Sequence, residues 1–395
     1  MLCEVCGVFG VNLFGLYVHI PFCQAKCAYC DFVSFAGKGF IFSEYVQAVL
    51  REAAFYRGER TDSVYLGGGT PTVLGADLLG LLLSGLSNAL LFQPDCEITV
   101  EANPGTVDLA YFRQLRGRGV NRLSLGMQSL DNDSLALLGR IHSAQTAIDS
   151  VHDARRAGFD NINLDIMFGL PGQSTDSFRH TLDRALDLSP EHLSLYALTI
   201  EENTPLAHDV KRGKIAKPDP DLTADMYEVA QEHFAARGYI HYEISNWARD
   251  PAYMCRHNLR YWQRQPYIGL GAGAHSFIDG LRFQNTPSPE GYIQLVSASQ
   301  HGERHFPGPA AEEVERIGRQ SAMAEMMFLG LRMNAGVTRK SFQEAFGVGF
   351  ETVYGDTIAE LKEAGLVELD SRGIRLTQRG RLIGNEVFYR FLGDD

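Results

Sequence analysis

Three cysteines stand within one short run, Cys23-Gln-Ala-Lys-Cys27-Ala-Tyr-Cys30. This C-x3-C-x2-C spacing lets three thiolates wrap one face of a cuboidal cluster and give a soft ligand to each of three irons. No fourth cysteine is close in sequence, so a [4Fe–4S] cluster held here would keep its fourth iron open to an exchangeable ligand. Two other readings compete: incidental core cysteines, or a structural zinc completed by His19. A second candidate is Gly67-Gly68-Gly69-Thr70-Pro71. Its glycines can bring the backbone against a ligand and expose N–H and C=O groups, or can simply make a tight turn. Glu101 could bond a ribose hydroxyl or a cationic amine, or cap a helix, a task that Asn103 or Thr106 serves better.

These residues need a frame that brings them together. Strand-like runs at 16–20, 63–66, 97–101, 122–128, 161–167 and 192–198 alternate with amphipathic helical runs at 44–56, 76–91, 144–157 and 174–188. Such alternation predicts parallel strands with helical crossovers: an α/β chain forming a partial (β/α)6 TIM-like barrel. The run Ile162-Asn163-Leu164-Asp165-Ile166 alternates apolar with polar residues, as a barrel strand with one set of side chains in the lumen would. His19, the 67–71 turn, Glu101, Asn103, Gln128 and Asp165 all fall at or near strand C-termini, the end at which barrel loops build a site.

A less regular stretch follows strand six, and the Pro307-Gly308-Pro309 turn marks a boundary. Helical patterns at 311–331, 339–346 and 350–364, then a strand pair at 367–370 and 373–377, predict a small winged-helix-like α+β domain. The expected organisation is an N-terminal extension (1–14), a core barrel (15–240), a region holding the His257 motif and connecting segments (241–309) and the C-terminal domain (310–395).

Tyr17-Val-His19-Ile-Pro-Phe22 followed by C-x3-C-x-Y-C resembles the cluster loop of radical S-adenosylmethionine proteins. It is most similar to the oxygen-independent coproporphyrinogen III oxidase family, and within it to the heme-chaperone-like members, from Leu16 to about Leu392. The resemblance implies that Cys23, Cys27 and Cys30 bind a [4Fe–4S] cluster. It also implies that S-adenosylmethionine chelates the open iron, where one-electron reduction can release a 5′-deoxyadenosyl radical. It points to Gly68, Gly69 and Thr70 beside the methionine moiety, and to Glu101, Gln128, Arg140 and Asp165 along the cofactor. Arg140 could equally be a surface cation at a helix end; Asp165, flanked by apolar residues, needs a partner such as a ligand hydroxyl or Arg140. Tyr17 and Tyr29 would cover cluster or adenine, or pack the core.

Within that family two readings differ. The oxidases continue the motif to another cysteine two residues after the third, where this chain has Phe32, and they carry a longer segment ahead of the first strand. In contrast, His257-Asn258-Leu-Arg-Tyr261-Trp262 resembles the heme-binding motif of the chaperone-like members. His257 can ligate heme iron while Tyr261 and Trp262 offer flat apolar faces, although an aromatic anchor packed on the barrel would read the same. Cys255 and His275 are further candidate ligands, His275 within a Gly269-to-Ser276 stretch that also matches the family. The first reading is therefore a protein that carries heme to an acceptor protein, with an electron donor for the cluster; the alternative is oxidative decarboxylation of coproporphyrinogen III to protoporphyrinogen IX.

Composition narrows the rest. A net charge of −12 argues against general nucleic-acid binding, and no run is long and apolar enough to span a bilayer. Seven cysteines, an odd number, point to metal or thiol chemistry in a reducing compartment, and the expected location is cytoplasmic. Cys3 and Cys6 lack the context of a redox motif, and Cys96 reads as inert packing.

Overall fold

Each strand of the first half carries apolar residues on one parity and polar or small residues on the other, and this sorts the two faces of the sheet. A computed structural model describes residues 13–299 and 307–392; Cys3, Cys6 and most of the expected N-terminal extension lie outside them. The parallel strands are β1 (Leu13–Ile20), β2 (Arg60–Gly68), β3 (Leu91–Ala102), β4 (Arg122–Gln128), β5 (Ile162–Phe168) and β6 (His192–Ala197). They pair in chain order. Leu16, Val18, Val64, Leu66, Val100, Leu123, Leu164 and Ile166 face outward and are fully buried under the crossover helices. Each such side chain contributes roughly 1.5–3 kcal/mol. Among those helices are α1 (Phe42–Ala53), α2 (Ala76–Ala89), α3 (Leu109–Gly117), α4 (Asn132–Leu137), α5 (Ala144–Arg156) and α6 (Thr175–Asp187). Asp108, Asp131, Ser143 and Ser174 cap the last four, each accepting a backbone N–H of the first turn.

The other parity faces the lumen and is polar. Asn163 donates to Ser124 (2.8 Å) and Asp165 (2.9 Å) and meets His192 at 2.6 Å; Ser194 donates to Asn163 and to Asn246. The alternation in 162–166 is this lumen network.

The sheet is larger than six strands. On one side β6 pairs with β8 (Asn246–Ala248) and β8 with β7 (Ile240–Glu243). On the other, β9 (Tyr267–Leu270) lies parallel to β1, followed by β10 (His275–Ile278), β11 (Leu281–Asn285) and β12 (Ala311–Arg316), all antiparallel. The 12 strands form one open sheet. Residues 241–309 thus supply sheet on both edges instead of an irregular connection. The helix expected at 311–331 is corrected: 311–316 is strand β12, and a helix begins only at Arg319. The run Ala311-Glu-Glu-Val-Glu-Arg316, almost all of it exposed on an edge strand, carries no apolar period to distinguish it from a helical face.

The 269–276 stretch is explained by a residue without a sequence signal, Glu52 on α1. It is buried and accepts from Gly271 N (2.9 Å), Asn285 Nδ2 (2.7 Å) and Tyr292 Oη (2.5 Å). Glu52→Ala would strand these three donors at about 1 kcal/mol or more each. A loss of roughly 3 kcal/mol in denaturant unfolding is expected; an unchanged midpoint would refute this anchoring role.

Beyond β12, α7 (Arg319–Gly330), α8 (Arg339–Phe346) and α9 (Phe350–Glu363) surround a separate core of Met327, Phe342, Phe350, Ile358, Leu361, Ile374 and Phe391. A small antiparallel sheet of 337–338, 373–376 and 367–369 completes a winged-helix-like domain.

Candidate functional site

The C-terminal ends of β1 to β6 open into one cavity of about 390 Å³. Cys23, Cys27 and Cys30 line it, together with Tyr29, Gly68, Gly69, Thr70, Glu101, Gln128, Arg140 and Asp165. The loop carrying the thiols is tied down on several sides. Ala28 N donates to Leu138 O at the end of α4, Leu206 N to Ala28 O, and Gly69 N and Thr70 N to Ile20 O and Phe22 O.

All three thiols are half-buried and face the cavity, the arrangement a cluster with one open iron requires. Two of their sulfurs meet hydrogen-bond donors, Thr70 Oγ1 at 3.7 Å from Cys23 and Arg140 Nη1 at 3.3 Å from Cys27, and Cys30 Sγ lies 4.0 Å from the Ser34 hydroxyl. Burial pushes the Cys23 and Cys30 thiols up. Among the described residues, no three His, Cys, Asp or Glu side chains converge on a single ion. His19, the fourth ligand of the zinc reading, is turned away, with Nε2 on Val33 O (2.8 Å) and Nδ1 on Tyr17 Oη (3.0 Å). A zinc tetrad is therefore not formed, whereas three thiols around a cavity with their own donors fit a cluster.

The glycine turn is shaped by what surrounds it. Gly68 has φ +105, and a Cβ there would lie 2.4 Å from the His19 ring. A Cβ on Gly69 would meet the backbone of the cluster loop, 2.5 Å from Phe22 O and 2.8 Å from Phe22 N. Glu101 Oε1 accepts from Tyr65 Oη at 2.7 Å, and Oε2 from Gly68 N at 3.3 Å. Burial, then the charge of Asp165, raises the Glu101 carboxyl to about 7. Gln128 has φ +63 at an irregularity between β4 and β5, which turns its side chain to the cavity.

Two expectations are corrected. Arg140 is not the partner of Asp165: it donates to Cys27 Sγ, Asn103 Oδ1 and Gly126 O. Asp165 instead accepts from Ser124 (2.9 Å) and Asn163 (2.9 Å). Tyr17 does not line the cavity; it stacks behind Tyr65, with ring centroids 6.3 Å apart. Asn103 joins Arg140 to Thr70, donating to Thr70 Oγ1 at 2.7 Å. Its place in Glu-Ala-Asn-Pro marked it as a strand-end residue and a candidate cap, with no sign of either partner. Tyr65 and Ser124 had no signal beyond strand parity.

The heme candidates lie elsewhere. Residues 256–262 form a short helix at the N-terminal end of the barrel, where Arg260 pairs with Asp62 and donates to Leu13 O. His257 is 1% exposed and meets Ser63 Oγ through Nδ1 (3.2 Å) and Tyr261 Oη through Nε2 (2.8 Å). Burial, with Arg260 and Arg122 nearby, lowers its pKa to about 3. Neither ring nitrogen is presented to a macrocycle in this arrangement. Cys255 is fully buried with its sulfur on Glu97, and burial pushes it up to about 12. The Trp262 ring is covered by the Arg332 guanidinium at 4.3 Å, and His275 lies exposed on β10, near the sheet edge.

Known proteins agree with this geometry. Residues 17–185 match the radical SAM superfamily and residues 318–383 the HemN C-terminal domain. The heme chaperone HemW of Escherichia coli (strain K12) is 42% identical over 391 residues, spanning 96% of this chain and 98% of that protein. HemW of Bacillus subtilis (strain 168) is 37% identical over 383 residues, spanning 96% and 99%. The solved structure of coproporphyrinogen III oxidase (HemN) from Escherichia coli superposes with a TM-score of 0.83 at 25% identity, covering 96% of this chain and 90% of that one. A polar-lumened open barrel with a cysteine-lined mouth, and end-to-end likeness of this order, place the chain in the radical SAM superfamily, in the branch that HemW and HemN share.

Proposed function

We propose that this protein is a heme chaperone. In this reading it holds a [4Fe–4S] cluster through Cys23, Cys27 and Cys30, S-adenosylmethionine in the adjoining cavity, and heme, which it passes to an acceptor protein. The observation that carries the cofactor half is the single cavity that unites three thiols, the Gly68–Gly69 backbone and the Glu101 carboxyl. The heme half rests on likeness to relatives named heme chaperones along nearly the whole chain. When bound, the cluster would supply an open iron for the amino-acid moiety and a store for one electron from a reductase or other donor. Thr70 and Arg140 would donate hydrogen bonds to its thiolates, and the 67–70 turn would lie along the methionine. Free cysteines suit a reducing compartment such as the cytoplasm.

The competing reading, decarboxylation of coproporphyrinogen III, has less support. Phe32 replaces the further cysteine of the oxidases, and that ring lines the cavity 65% exposed. Anaerobically reconstituted protein is expected to bind hemin stoichiometrically and to load an apo-hemoprotein. Formation of protoporphyrinogen IX at useful rates would overturn the chaperone reading.

Glu101 gives the cofactor site a pH signature. With its carboxyl at about 7, it is mostly neutral at pH 6 and mostly ionised at pH 8. A ligand offering hydroxyl donors or a cationic amine favours the ionised form, so S-adenosylmethionine affinity should rise with pH through 7. The rise should approach about tenfold per unit on the acid side. Glu101→Gln should weaken binding and flatten this profile; a wild-type profile in the variant would remove Glu101 from the site.

A further inference from the structure

We propose that the tetrapyrrole binds in a second cavity, between the β6 edge of the barrel and the C-terminal domain, with Arg332 and Arg381 holding its propionates. This rests on the heme reading above. The cavity is about 710 Å³, within the roughly 300–1,000 Å³ typical of small-molecule sites. Its lining is mixed: Phe168, Tyr227 and, from the C-terminal domain, Phe388 contribute buried rings, Tyr196 and Ile383 give the more exposed apolar surface, and Asn385 is among the polar groups. Two guanidinium groups stand among these rings, and each has a buried Nε without a hydrogen-bond partner. The one acidic lining residue is Glu386, which is exposed. Arg381 spends Nη1 on Leu376 O (3.3 Å), so each guanidinium keeps donors to spare, and two such forks beside aromatic and aliphatic side chains match a planar dicarboxylate.

The placement also gives residues 256–262 a role that their burial otherwise denies them. Arg332 rests on the Trp262 ring at 4.3 Å and lies 6.0 Å from the Phe388 ring, so Trp262 is a positioning residue that holds Arg332 toward the cavity. Tyr196 lines this cavity and the cysteine-lined one, so the two ligands would share a wall. No His, Cys or Met is among the lining residues. Of the two lining tyrosines, the other class of heme ligand, Tyr227 is committed to Ile244 O, so Tyr196 is the one candidate axial oxygen; the grip on the propionates dominates, and metal-free protoporphyrin IX should bind about as well as hemin.

The test is a titration of the reconstituted full chain with hemin, protoporphyrin IX and protoporphyrin IX dimethyl ester. Wild type should bind the two free acids with similar Kd and the ester at least about tenfold more weakly. Arg332→Met and Arg381→Met should each weaken both acids about tenfold or more, and Arg381→Lys should recover part of the loss. Trp262→Leu should weaken the acids and leave the ester unchanged. Cluster absorbance and thermal unfolding confirm that the variants fold, and the acid-against-ester comparison in wild type needs no variant. Hemin binding that ignores the ester and both arginines but is lost in His257→Ala would overturn this site while sparing the chaperone reading. Wild type that binds no hemin would overturn that reading itself.

Discussion

Replacing Cys27 with serine is expected to leave a protein with little bound iron and sulfide and almost none of the broad visible absorbance of an iron–sulfur cluster after reconstitution. Cys27 is the middle ligand of the three, on a loop fixed by the Ala28 N to Leu138 O bond, and among the described residues the cysteines outside the loop, Cys96 and Cys255, are buried elsewhere. A serine hydroxyl is a poor ligand for soft iron–sulfur chemistry. The Arg140 contact at 3.3 Å would be left without its sulfur. The fold should survive, since Cys27 is only half-buried and belongs to none of the core clusters. Iron and sulfide analysis alongside far-UV circular dichroism reads both points. A serine variant that keeps full cluster content would refute the ligand assignment.

Gly69→Ala should have nearly as large an effect from outside the ligand set. The added methyl would have to occupy space 2.5 to 2.9 Å from three backbone atoms, Phe22 O, Phe22 N and Ile20 O. Backbone cannot rotate aside as a side chain can, so either the turn or the strand leading to Cys23 must shift. Such overpacking costs typically 1–3 kcal/mol. Here the shift also breaks the Gly69 N to Ile20 O and Thr70 N to Phe22 O bonds that join the two loops. Reduced cluster retention and at least about tenfold weaker S-adenosylmethionine binding are expected, measured by iron content and equilibrium dialysis. Gly75→Ala is the control: a Cβ there meets nothing within 4 Å, and although φ +79 strains it locally, the cavity should be untouched. Equal cofactor binding in Gly69→Ala and wild type would show that the turn does not shape the site.

The grouping of residues at the candidate site was legible because it is local in sequence. Three thiols in one loop, three glycines after the next strand and acids at strand ends follow from barrel topology once the strands are found, and strand parity put Glu101 and Asp165 inward. Partner choice was less legible. Arg140 reaches Cys27 and Asn103 because α4 ends beside the cluster loop, a tertiary fact that no spacing encodes. The His257 segment shows a different limit. Its residue types suit heme, yet the helix faces into the barrel, and His257 satisfies both ring nitrogens with Ser63 and Tyr261. Aromatic rings that could stack on a macrocycle pack equally well on each other. The strands added outside β1 and β6 were harder to see: β8, β9 and β10 are three or four residues long, too short for a period to emerge.

Whether one iron is open to the cavity is read most directly by electron paramagnetic resonance of the reduced cluster, recorded with and without S-adenosylmethionine. A cluster held by Cys23, Cys27 and Cys30 alone leaves one iron for the amino-acid moiety, so the account predicts that the signal changes on addition and that Glu101→Gln requires more ligand to produce the same change. A reduced-cluster spectrum unaltered by saturating S-adenosylmethionine would contradict the account, because it would mean that no iron is open to the cavity.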